Sequence, residues 1–157
     1  MNTKLHRLLS LVLLTVGMSG CSRESGTTLK GTDRSEFKVG QEWAYQTRPG
    51  EEQSTFVIVK VESAPEGGVI VHISLKGLKI KNLKDPAKMG ETISHMPFTE
   101  GAIKRSVTKI VNEHAALPSF ERGYADWRGA FVSGQGGVFD VTVAEGVGMI
   151  EEIGNRN

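Results

Sequence analysis

Two runs rich in β-branched residues, Phe56-Val57-Ile58-Val59 with Val61 and Val69-Ile70-Val71-His72-Ile73-Ser74-Leu75, flank the turn residues Pro65-Glu66-Gly67-Gly68. Branched side chains lose rotamer freedom in a helix and pack well on a pleated surface. A connection this short joins antiparallel neighbours. The centre of the chain is therefore constrained to a β-hairpin, with Val69, Val71, Ile73 and Leu75 facing inward. Gly77 interrupts the alternation before Leu78 and Ile80, the mark of a bulge or bend. Upstream, residues 41–47 alternate with Trp43 and Tyr45 on one side, and Pro49-Gly50 supplies a turn, so a half-buried strand precedes the hairpin.

Residues 81–90 read as a loop punctuated by Asp85-Pro86 and Met89-Gly90. A short strand at 91–96 follows, which Pro97 is expected to stop. Thr99 then caps a helix over 100–114, with Ile103, Val107, Ile110 and Val111 as its apolar stripe. Leu117-Pro118 breaks it. Ser119 caps a second amphipathic helix carrying Phe120, Tyr124, Trp127 and Phe131. The glycine-rich residues 133–137 end that helix, before a last strand at 138–143 and a segment at 147–153 that fits either a helical turn or a tail strand. The order β-β-β-(β)-α-α-β predicts an α+β domain, an antiparallel-rich sheet with two helices packed on one face. Trp43, Tyr45 and the helix aromatics are expected to share one core. The same aromatics could instead line a ligand pocket.

The first twenty-one residues carry a different signal. Lys4 and Arg7 precede the apolar Leu8-Leu9-Ser10-Leu11-Val12-Leu13-Leu14, and small residues lead to Cys21. This is the grammar of a secretory signal peptide, too short to span a hydrocarbon core that needs about 20 apolar residues. Met18-Ser19-Gly20-Cys21 resembles a bacterial lipobox, although Met18 stands where Leu is commoner. The resemblance implies cleavage before Cys21 and acylation of that residue. Each buried methylene of such an anchor contributes about 0.8 kcal/mol, and several chains hold firmly. Ser22, in place of the Asp that favours inner-membrane retention in that class, implies the outer membrane. The expected organisation is a signal peptide at 1–20, a lipidated flexible tether at 21–35 and one globular domain at 36–157. Residues 22–35 have linker composition, with a span of roughly 20 Å.

Cleavage at that position removes Lys4 and Arg7, so the 19 basic residues become 17 against 18 acidic ones, and net charge moves from +1 to −1. Nucleic acid is not an expected partner. Cys21 is the only cysteine, which leaves the domain without an internal disulfide or thiolate cluster. Trp43, Tyr45, Thr47, Arg48, Pro49, Gly50, Glu51, Glu52, Ser54 and Thr55 resemble the strand-turn-strand of small bacterial lipoproteins, a resemblance that implies no activity.

The search for chemistry yields few candidates. Gly134-Gln135-Gly136-Gly137 follows a helix, the reverse of a phosphate-cradling arrangement. His72, His95 and His114 lack metal-binding spacing, although His72, His95, Met96 and Met89 could together offer imidazole and thioether ligands to copper. The serines lack a nucleophile elbow. The pairs Glu51-Glu52 and Glu151-Glu152 are expected to be solvated, and no cofactor is expected. Eight basic residues fall between Lys76 and Lys109 against Asp85, Glu91 and Glu100. Among them Lys79, Lys81, Lys84 and Lys88 are candidate contacts to anionic headgroups or an acidic envelope polymer. The expected function is a non-enzymatic, lipid-anchored module that binds an envelope protein or polymer. The alternatives are a periplasmic immunity protein and an envelope hydrolase.

Overall fold

A computed structural model of the chain describes residues 28–64, 67–81, 85 and 89–156. Six antiparallel strands form its sheet: β1 (Lys30–Gly31), β2 (Glu42–Tyr45), β3 (Thr55–Ser63), β4 (Val69–Lys81), β5 (Met89–Thr99) and β6 (Val107–Asn112). The helices are α1 (Glu100–Ser106), α2 (Glu121–Val132) and α3 (Val143–Arg156). The architecture is α+β, as the pattern predicts. Spatially the strands run β5-β4-β3-β2-β6, with β1 beside the far end of β3. The central hairpin is β3–β4, and its alternation sets the faces: Val71, Ile73 and Leu75 enter the main core while His72 and Ser74 point the other way. A register shift around Gly77, at φ +74°, marks the expected bulge.

The main core lies between one face of the sheet and two helices. Phe56, Ile58, Val71, Ile73, Met96 and Phe98 meet Ala102 and Ile103 of α1 and Val143 and Val147 of α3. Two helices therefore do share a face, but they are α1 and α3. The aromatic helix α2 lies on the opposite face, so the helix aromatics do not join Tyr45 in one core: Tyr45 is buried in the main core and Trp43 packs at its margin.

Four local expectations change. The helix begun at Thr99, whose hydroxyl accepts from the Ala102 N–H at 3.1 Å, stops at Ser106 rather than 114. Val107, Lys109, Ile110 and Asn112 then pair with β2 as part of strand β6. Branched residues spaced to suit a helical stripe also suit a strand, and the partner strand decides. Pro97 does not end β5. Its carbonyl accepts from Phe139 N–H on the outer edge, so its missing donor faces away from the β4 ladder. Residues 138–143 give one parallel bridge, Phe98 to Phe139, instead of a strand. Thr142 and Glu145 exchange hydrogen bonds as a capping box that starts α3, so 147–153 is helical.

The folded region takes in part of the expected tether. Leu29 and Ser35 are buried, Lys30 and Gly31 pair with Ser63 and Glu62, and the Ser35 hydroxyl donates to Glu100 at 2.6 Å.

Candidate functional site

Strands β3, β4 and β5 carry Glu62, His72 and His95 to the face beneath α2. Each sits beside core residues of opposite orientation, because the side-chain period along a strand is two. A register shift in the β4–β5 ladder between Ile73 and Leu75 places an extra β5 residue near His95. The two imidazoles come together there: His72 Nδ1 lies 2.9 Å from His95 Nε2, with ring centroids 5.1 Å apart. Helix α2 closes the cluster with Tyr124 and Trp127, whose rings lie 5.3 and 4.8 Å from the His72 ring. Gly123 makes that approach possible, since a Cβ there would stand 2.9 Å from His95 Cβ.

Glu62 is the electrostatic centre. Both its oxygens accept from the Tyr124 hydroxyl at 3.0 Å, and the Lys60 ammonium stands 3.6 Å from Oε1. His72, at 0% exposure, brings Nε2 to 3.2 Å from Glu62 Oε2, in ion-pair range but too oblique for a hydrogen bond. A carboxylate only accepts, so the His72 proton belongs on Nε2. His72 Nδ1 is then the acceptor and His95 Nε2–H the donor.

The titrations follow from this geometry. Burial pushes the Glu62 carboxyl up, but His72, Tyr124 and Lys60 together hold it below the ordinary glutamate value. Burial lowers His72 despite the opposing pull of Glu62. Burial, reinforced by His72, takes His95 down to about 4. Tyr124 is pushed up to about 12, by burial and then by its carboxylate partner. At neutral pH the cluster therefore holds a carboxylate, two neutral imidazoles and a neutral phenol. Its polar groups mostly serve one another, and what they accomplish is the docking of a helix that has no buried residue of its own.

The copper set does not assemble. Met96 points into the main core and Met89 is exposed at the far end of β5, so only His72 and His95 meet. Among the described residues no three His, Cys, Asp or Glu side chains are placed to hold a metal ion. His114 is exposed elsewhere.

The acidic pairs are not simply solvated. Glu51 is buried, accepting from Arg48 Nε at 2.9 Å and from the Lys79 N–H at 2.6 Å, and Arg48 Nη1 reaches Glu151 at 2.7 Å. Burial raises the Glu51 carboxyl, but Arg48 and Lys79 outweigh it and hold it low. Glu151 also accepts from the Lys81 N–H. Arg48 thus ties the β2–β3 turn to α3. Of the candidate anionic-surface contacts, Lys79 and Lys81 occupy this end of β4 beside those carboxylates, while Lys84 and Lys88 lie outside the described residues. Cys21 does too, as does the whole of the expected signal peptide at 1–20. No helix among the described residues is long and apolar enough to cross a membrane.

Exposed apolar side chains gather instead near β6. It is an end strand of the sheet, five of its six residues are exposed, and Ile110 and Val111 are 37% and 50% accessible. Val39 and Leu117 are also exposed, and the Ala115 N–H donates to Gly40 O at 2.8 Å, which brings the two segments together. Comparison with protein-family models, with curated proteins and with solved structures finds no match to this chain.

Proposed function

We propose that the protein is a lipid-anchored component of the bacterial cell envelope, held in the outer membrane through Cys21, whose domain is a non-enzymatic binding module. The observation that carries the binding role is β6, a strand exposed on both faces whose outer edge pairs with no strand among the described residues. Such an edge presents a row of backbone donors and acceptors to an extended segment of another protein, and alternate side chains give specificity. The anchor rests on the lipobox resemblance and on the signal grammar around it.

A photo-crosslinking residue at Ile110 in the full-length chain, irradiated in native membranes, is expected to trap a partner that the same residue at Arg122 of α2 does not. Equal adducts from both positions, or none from Ile110, would remove the reading. Mass spectrometry of the processed N-terminus tests the anchor separately: a diacylglyceryl mass on Cys21 is expected, and an unmodified Cys21 rules it out.

A further inference from the structure

Helix α2 is attached in an unusual way for a helix on a sheet. None of its residues is buried, and its Tyr124 and Trp127 rings rest on two histidines. The described geometry also limits how many protons those histidines can hold. With Nε2–H of His72 toward Glu62 and Nδ1 accepting from His95, one further proton can go only to His95 Nδ1. A second would need His72 Nδ1, which already accepts a hydrogen bond at 2.9 Å. Once both rings are charged, two N–H groups face each other and the contact becomes repulsive. With α2 lifted away, the two rings on β4 and β5 meet water, and charging them no longer carries the cost of burial.

We propose that α2 is an acid-released flap, latched to the sheet at neutral pH by Tyr124 and Trp127 packed over the neutral His72–His95 pair and by the hydrogen bonds from Tyr124 to Glu62. The charged and titratable groups that meet at the latch are Lys60 and Glu62 from β3, His72 from β4, His95 from β5, and Tyr124 with Arg128 from α2. His95 binds its proton less readily in the docked state than in free solution. The docked state is therefore fully favoured above the free histidine value of 6.5 and loses its advantage as pH falls toward about 4. Glu62 is depressed from 4.5, so its contribution is lost only further down. Tyr124 stays protonated throughout, and the apolar contacts of α1 and α3 contain no group that titrates in this window.

The chain has two tryptophans, and Trp43→Phe leaves Trp127 as the only one. In the full-length Trp43→Phe protein, lowering pH from 7.5 to 4 is expected to red-shift Trp127 emission, with its midpoint between 6.5 and about 4, while the far-UV strand signal persists. His95→Gln keeps a donor to His72 but cannot charge, and is expected to move the midpoint to lower pH. In the protein without that substitution, the His95 ring proton followed by NMR should titrate with the Trp127 change, which keeps the test decisive if His95→Gln disturbs docking. A Trp127 change that coincides with loss of the whole sheet, or one independent of His95 titration, would overturn the proposal.

Discussion

Helices α2 and α3 both press a glycine onto β5, Gly123 against His95 and Gly146 against Phe98, and at either position a Cβ would stand 2.9 Å from the nearest atom. Their other contacts differ in kind. Around Gly146, α3 buries Val143 and Val147 among Phe98, Met96 and Ile103. Around Gly123, α2 sets half-buried rings against a carboxylate and two imidazoles. Apolar burial is insensitive to protons and roughly proportional to area. A polar cluster holds only while each donor keeps its acceptor, so its strength depends on conditions. One face is thus held permanently and the other conditionally, on opposite sides of the same strand.

The sharpest way to break the contrast is at Phe98. Phe98→Ala is expected to cost about 3–5 kcal/mol in urea unfolding, with every probe shifting together, because it opens a cavity against α3. A loss confined to one helix would contradict the assignment of that face as the core. Glu62→Gln should cost less, about 1–3 kcal/mol, by weakening the acceptor of Tyr124 and removing the charge beside His72. Its effect should be local, with amide protection falling in α2 and persisting in α3. The two glycines refine the comparison. Gly123→Ala drives a methyl into His95 Cβ, an atom fixed to the backbone, and overpacking of this kind costs about 1–3 kcal/mol. Gly146→Ala meets the far end of the Phe98 ring and gains helix propensity of about 1 kcal/mol, so it should be the milder of the pair. Differential scanning calorimetry of both variants checks the order. Thr142→Ala, which removes the capping box of α3, should be smallest at about 1 kcal/mol, read as an earlier melting midpoint without loss of α2 docking.

Much of the sheet was legible because branched residues, Gly77 and the Gly67-Gly68 turn all agree locally. The helices were harder. Val107, Ile110 and Val111 satisfy a helical spacing, yet as branched residues they suit a strand as well, and only β2, more than sixty residues upstream, resolves the ambiguity. The start of α3 was readable in principle, since Thr142 and Glu145 stand at capping-box spacing, but the alternation of Phe139, Val141 and Val143 obscured it. At the site, His72 and His95 were visible as unusual residues. Their partner Glu62 was not, because a glutamate at the end of a strand normally faces solvent and only the arrival of α2 buries it. Tyr124 and Trp127 share one helical stripe, as their spacing predicts, yet the stripe gives no hint that the surface beneath it is polar.

Lys109 is the only charge in β6, set among Val107, Thr108, Ile110 and Val111. An exposed strand of that composition tends to stack on copies of itself, and native edges suppress this with an inserted lysine. Two such strands pairing antiparallel about Lys109 would place ammonium opposite ammonium, whereas a foreign strand bearing a carboxylate there would meet no such obstacle. A single side chain thus guards the open edge of the sheet against aggregation without closing it.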